Sequence, residues 1–217
     1  MIPTHLVALL GAVFLLLYLA IWLWQNPGTI LGAMGRDDVE RYMRSVARLP
    51  FPAEERAEML RRVRAWLEND DGKPVYMLNL MRFYRELRRF EGSLPFEGSP
   101  RESNARYEAT VIPLLFRVGA YPVFAGSAQG PNVMSYEPEL DAWHRILVVR
   151  YPNRRAFMKL MTHPAFQRVE PYKLMALKVV LTPMRPQMVF PELPFVAAAT
   201  LLPLFLAVGW WCGTHAG

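Results

Sequence analysis

The chain has one cysteine, Cys212, and four histidines in 217 residues. A single thiol excludes an intrachain disulfide framework and a cysteine-based zinc site within one chain. No His-Glu pair stands at metal-ligand spacing, so the sequence predicts no metal site and no cofactor motif. Gly126 to Gly130, GSAQG, lacks the Lys-Ser/Thr ending of a phosphate-binding loop. No recognised nucleic-acid-binding motif accompanies the net charge of +6, so nucleic acid is not an expected partner. Charge itself is missing from both ends: all 25 Lys and Arg and all 19 Asp and Glu lie between Arg36 and Glu192.

Those uncharged ends point to a bilayer. Leu6 to Trp24 has no charged side chain, and as a helix rising 1.5 Å per residue it reaches roughly 28 Å, about one hydrocarbon core. Phe195 to Cys212 is a second apolar run, interrupted by Pro203, that reaches spanning length with Leu193 and Pro194 included. No Lys or Arg precedes the first run and no small-x-small cleavage site follows it, which favours an uncleaved anchor over a signal peptide. Trp22, Trp24, Trp210 and Trp211 stand at run ends, where indole rings favour the interface. Arg36, Arg41, Arg44 and Arg48 follow the first run, and Lys173, Lys178 and Arg185 precede the second. The expectation is a two-span protein of the inner (cytoplasmic) membrane, its central domain cytoplasmic and both termini outside.

Four segments follow from the patterning. Residues 1–35 read as an N-terminal anchor with an interfacial segment after Asn26-Pro27-Gly28. Residues 36–73 read as amphipathic juxtamembrane helices. In the first, Asp37 and Glu40 suit a capping box, and Val39, Tyr42, Met43, Val46 and Leu49 form an apolar face. Arg41, Arg44 and Arg48 share another side, suited either to lipid headgroups or to solvent. The second helix follows Pro52 and carries Met59, Leu60, Val63, Trp66 and Leu67. Residues 187–217 read as the C-terminal span and tail.

Residues 74–186 read as the folded domain. Pro74 to Phe83 (PVYMLNLMRF) is the first and most buried strand, and Tyr84 to Glu102 a long loop. A helix capped by Ser103, kinked at Pro113 and ended by Gly119 follows. Ala120 to Ser127 and Trp143 to Tyr151 are the next strands, with a loop containing Gly130-Pro131 between them. Asn153 caps a short helix, His163-Pro164 restarts it, and Pro171 ends or bends it. Leu177 to Pro183 is the last strand. The order β-α-β-β-α-β is the split βαβ of an α+β, ferredoxin-like domain: two helices cover one face of an antiparallel sheet, and the other face needs a partner.

The stretches YMLNLMRF (Tyr76 to Phe83), the helix with Tyr107 and Pro113 running into Gly119, and VVRYPNRRAFMKLMTHPAF (Val148 to Phe166) carry a resemblance. Over roughly Pro74 to Arg185 the chain resembles domain-of-unknown-function family 1330, of the dimeric α+β barrel superfamily. The resemblance implies a dimer packed sheet to sheet, with a pocket in each protomer between sheet and helices. That superfamily includes cofactor-free monooxygenases, lactone isomerases and haem enzymes, so it does not choose a reaction. The added terminal spans depart from the family pattern.

Within this frame the candidate residues are few. Asn79 shares strand parity with Val75, Met77, Met81 and Phe83, which places its amide beneath the helices, as a ligand contact or as a satisfied structural group. His144, in line with Ile146, Val148 and Arg150, suits a general base by type, yet no carboxylate at a characteristic spacing orients it. Arg150, at a strand end, suits solvent or a surface ion pair. His163 is a capping residue first, and a haem axial role for His144 or His163 follows only from superfamily analogy. Tyr76, Asn79, Met81, Tyr107, Tyr121 and Trp143 are the expected pocket lining, and the many methionines are adaptable packing.

Two functions stay open. The preferred one is a non-catalytic accessory or scaffold subunit of an inner-membrane complex, binding other membrane subunits or a second copy through the open sheet face. The alternative is a membrane-tethered enzyme, of cofactor-independent monooxygenase or isomerase type, or a binder of a small apolar substrate.

Overall fold

The structure is a computed structural model that describes residues 4–134, 143–189, 191 and 193–215, with some side chains near the two ends excepted. Cys212 and His215 lie outside the described side chains. The chain divides into two units, Met1–Arg185 and Pro186–Gly217.

The first unit opens with the uncharged helix α1 (Thr4–Gln25) and a single turn, α2 (Gly28–Leu31). Then come α3 (Arg36–Val46) and α4 (Ala53–Glu68), whose apolar stripes face inward. Val39, Tyr42, Met43, Val46, Leu49 and Leu67 are buried in the same core cluster as Val75 and Met77, so residues 36–73 form part of the domain's core. The capping box expected at Asp37 and Glu40 is absent. α3 starts at Arg36 behind Gly35, and Glu40 is taken instead by the Arg64 guanidinium of α4, at 2.5 and 3.2 Å.

Four strands follow the pattern read from the sequence: β1 (Val75–Phe83), β2 (Tyr121–Ser127), β3 (Arg145–Tyr151) and β4 (Leu177–Met184). They form one antiparallel sheet in the order β2-β3-β1-β4, which makes this an α+β fold. β1 is central, running from Val75↔Tyr151 to Met81↔Arg145 against β3 and from Tyr76↔Met184 to Phe83↔Leu177 against β4. Its burial alternates: Val75, Met77, Asn79 and Met81 are buried, while Tyr76, Leu78 and Leu80 are half-buried on the opposite face. That alternation is what a strand with one helix-covered face requires.

Helices α5 (Pro100–Arg117), α6 (Arg154–Met161) and α7 (Pro164–Ala176) complete the unit. α5 begins four residues before the position expected from Ser103 as cap. Ser99 and Glu102 form a full capping box there and Pro100 takes the first helical position, whereas Ser103 is buried and donates to Tyr172 O at 2.9 Å. The side chains of Asn153 and His163 cap α6 and α7, accepting from Ala156 N and Ala165 N. Pro171 lies inside α7 and does not end it. Edge-to-face pairs join α5 to α7 (Tyr107–Phe166), α4 to α6 (Trp66–Phe157) and α6 to the sheet at β3 (Tyr151–Phe157). The 84–99 connection is tied down by Tyr84 N to Ala176 O and Arg88 N to Met175 O, and by Arg88 ion pairs to Glu54 and Glu55.

Arg150 is buried, not solvent-facing as expected. Its guanidinium is taken by Gln25 at the end of α1, a partner 125 residues away that strand parity does not reveal. Among its described residues the second unit holds one helix, α8 (Leu193–His215), whose sequence also has no Asp, Glu, Lys or Arg. The two expected spans are thus helices α1 and α8, but they are not shown to be spans. Among the described residues no helix is long and apolar enough to cross a membrane. Four side chains of the Leu6 to Trp24 run, at 6–8 and 10, are outside that description.

Candidate functional site

Between the sheet and the helices lies a cavity of about 430 Å³, lined mainly by apolar side chains. β1 supplies Asn79 and Met81, and β3 supplies Arg145, Leu147, Val149 and Tyr151. α5 contributes Asn104, Tyr107, Glu108, Val111, Ile112 and Leu115, the inward stripe of a helix at three- and four-residue spacing. α7 contributes Phe166, Glu170 and Lys173. Val46, Phe51, Met59 and Val63, from α3, α4 and their connection, close another wall.

Glu170 is the outlier in this lining. It stands one turn after Phe166 on the buried stripe of α7, is 5% exposed, and its Oε2 has no hydrogen-bond partner. A carboxylate is costly in such surroundings, and burial pushes its pKa up to about 7 against the pull of the Lys173 ammonium. Two buried phenols feel it: burial, then the Glu170 charge, raises both Tyr107 and Tyr151 above the ordinary tyrosine range. Their hydroxyls therefore stay protonated and able to donate. Lys173 Nζ lies 5.3 Å from the Tyr107 ring centroid. At another part of the lining Arg145 Nη1 meets Glu108 Oε1 at 2.6 Å, which neutralises that cation.

Asn79 is 6% exposed, and its Nδ2 donates to Met77 O at 3.2 Å and to Leu147 O at 3.4 Å. Its side chain joins Met81 and Tyr107 in the cavity lining. Tyr76, Tyr121 and Trp143 do not line the cavity. Tyr76 has the opposite parity on β1, Tyr121 lies beneath the Arg150 guanidinium at 5.7 Å from its centroid, and Trp143 precedes β3. His144 is exposed and outside the lining, with its Nδ1 accepting from Phe83 N at 2.9 Å and its backbone N donating to Met81 O. Arg41, Arg44 and Arg48 are exposed on and just after α3. Arg41 is held by Asp38 at 2.5 Å, and Arg44 lines a groove between α3 and α4 with Arg61 and Arg64. Among the described residues no three His, Cys, Asp or Glu side chains stand together to hold a metal ion.

Nothing in the sequence singles out Glu170. Its only linear signal is an acidic residue four positions after Phe166 and three before Lys173 in an otherwise apolar stripe, which an exposed helix face would also show. The carboxyl becomes conspicuous once α5 and β3 are seen to close over it.

No family model matches the chain, so the resemblance to family 1330 finds no support there. No curated protein matches it either. Among solved structures it is similar to the RPA0582 protein of unknown function from Rhodopseudomonas palustris, with 22% identity and a TM-score of 0.50 over 65% of this chain and 98% of that one. It is also similar to SnoaB, a cofactor-independent oxygenase from Streptomyces nogalater, with 12% identity and a TM-score of 0.35 over 55% of this chain and 99% of that one. The likeness to RPA0582 bears on fold alone, that of an α+β domain.

Proposed function

We propose that this protein is a membrane-attached domain that binds a small, largely apolar molecule in the cavity and exchanges a proton with it through Glu170. The observation that carries this reading is the buried carboxyl with an unpartnered Oε2, aimed into an apolar cavity of about 430 Å³. With a pKa of about 7, Glu170 is poised either to take or to give a proton near neutrality. The Tyr107 and Tyr151 hydroxyls are donors suited to a carbonyl or developing oxyanion on the bound molecule. Binding requires no second charge on the ligand, since Arg145 is already paired with Glu108.

Membrane attachment is supported by α1, which has no charged residue and bares Phe14, Leu16, Tyr18 and Trp24 at 54–70% exposure. α8 likewise bares Leu201, Phe205, Trp210 and Trp211. Side chains of this kind in this density favour lipid over water. Charge asymmetry then favours an inner-membrane protein with its domain in the cytoplasm and both ends outside.

A second reading, an accessory subunit that docks through the sheet, is favoured by the uncovered sheet face, where Phe124 and Val180 are 55% and 40% exposed. A second copy of the chain or another membrane subunit would cover it. Native mass spectrometry after gentle solubilisation separates the two readings. A homomeric species carrying a co-purified small molecule, lost in Glu170→Gln, supports the binding site. Stoichiometric association with other subunits and no bound molecule overturns it in favour of the accessory role.

A further inference from the structure

We infer that the mouth of the cavity between α5 and β2 faces the bilayer surface, so that the ligand is drawn from lipid and not from water; this rests on the membrane-attached, small-molecule reading above. The foot of α1 is fastened to the turn that joins α5 to β2. Gln25 Nε2 donates to Gly119 O at 3.3 Å, and a Cβ on Gly119 would lie 3.4 Å from the Trp24 ring, within van der Waals contact. Arg150, which faces Tyr121 across the β2–β3 ladder, grips Gln25 through both its side chain and its carbonyl.

That same turn carries a rim of the cavity. Ile112, in the last turns of α5, lines the cavity and is 45% exposed. Pro122, the second residue of β2, and Ala125 line it and are exposed as well. Phe116, one helical turn beyond Ile112 and three residues before Gly119, is 53% exposed. At the same end of the sheet, α2 sits with Gly28 against the Gly72 backbone just ahead of β1, and bares Ile30 and Leu31 at 70% and 56%. Exposed Arg36 follows Leu31 by five residues, and exposed Arg117 directly follows Phe116.

Exposed apolar side chains with arginines close by in the chain, around the foot of an uncharged helix, match the headgroup level of a bilayer with anionic lipid. A bilayer at that height covers Phe116, Ile30 and Leu31 and brings lipid to Ile112 and Pro122, exposed members of the cavity lining. The molecule taken up is then lipid-soluble and uncharged, far smaller than a diacyl phospholipid, with a polar group that reaches Glu170.

The test uses the full chain with its one cysteine replaced, Cys212→Ser, and a fluorescent label at Ile112→Cys, Phe116→Cys or Lys178→Cys. Lys178 is exposed and pairs with Arg82 at the other end of β1, about 20 Å along the strands from Tyr76 and Arg150. The protein is reconstituted into vesicles of zwitterionic and anionic phospholipid bearing a doxyl quencher near the headgroup. The expected result is loss of emission at 112 and 116 but not at 178, with the reverse order for aqueous iodide. Protein that floats with the vesicles, yet shows iodide quenching at 112 and 116 equal to that at 178, overturns the bilayer-facing mouth and leaves membrane attachment intact. Protein that fails to float overturns both.

Discussion

The Arg150 guanidinium holds the end of α1 to the sheet, with Nη1 donating to Gln25 Oε1 at 2.6 Å and Nη2 to Gln25 O at 3.1 Å. The Gln25 carbonyl belongs to the last turn of α1, where four carbonyls lack helical partners and the helix dipole is negative, so a buried cation there is doubly favoured. Arg150→Lys keeps the charge but loses the fork that reaches both oxygens. The expected outcome for Arg150→Ala is a loss of about 2–3 kcal/mol, the usual scale for hydrogen bonds to a charged group. Limited proteolysis checks where the loss falls: cleavage in the 26–35 segment accelerates in the variant while the sheet stays protected.

Glu170 sets a pH dependence whose sign is fixed by its raised pKa. The unfolded carboxyl releases its proton near 4.5 and the folded one near 7, so between those values the folded state holds more protons and stability falls as pH rises. The shift corresponds to roughly 3 kcal/mol lost between pH 4.5 and 7, with no further loss above. In Glu170→Gln that slope disappears, and the variant is more stable than the parent at pH 8 and similar at pH 4. Urea midpoints across that range measure it; an unchanged slope in the variant places the titrating group elsewhere. Stability gained by removing a polar group from a cavity is also the pattern expected where function keeps that group in place.

The strands were legible because β1 obeys a period of two on a half-buried sheet, with Val75, Met77 and Met81 inside and Tyr76, Leu78 and Leu80 on the other face. Asn79 was legible for the same reason, as a polar residue on the buried parity. Interactions that join distant segments were not. Glu40 looked like a local cap until Arg64 claimed it, and Arg150 looked like a strand-end cation until Gln25 did. Glu170 belongs to this second kind: its neighbours Tyr107 and Tyr151 come from a helix and a strand that only the fold brings together. Tyr76 and Tyr121 show the limit from the other side. Their aromatic character suits a pocket, but parity and the Arg150 stacking put them elsewhere.

The link between α2 and the domain depends on a glycine. A Cβ on Gly28 would fall 1.9 Å from Gly72 O, a backbone atom of a residue whose own φ of +69° suits glycine. Neither side has a flexible group to yield. Gly28→Ala therefore pushes α2 off the 70–72 turn and weakens the neighbouring bond from Met34 N to Asp70 Oδ2, now 2.8 Å. The expected cost is about 1–3 kcal/mol, the range for overpacking. Amide hydrogen exchange reports it as faster exchange at 28–34 and 70–72, with β1 and β3 unchanged.

Asn79 and His144, the two candidates by residue type, separate by what each does. His144 Nδ1 accepts the Phe83 backbone N–H at 2.9 Å, at the exposed end of β1 and outside the cavity. His144→Ala removes that acceptor and is expected to cost about 1 kcal/mol, the net scale of one hydrogen bond, with ligand binding unaltered. Among the described residues Asn79 makes two long bonds, at 3.2 and 3.4 Å, both through Nδ2, so truncating it costs the fold little. Its side chain lines the cavity, where a bound molecule would meet it. Asn79→Ala is accordingly expected to melt within a few degrees of the parent while binding of an apolar fluorescent probe to the cavity weakens. Thermal unfolding and probe titration on the two variants decide the matter: a large loss of stability in Asn79→Ala, or of binding in His144→Ala, reverses the assignment.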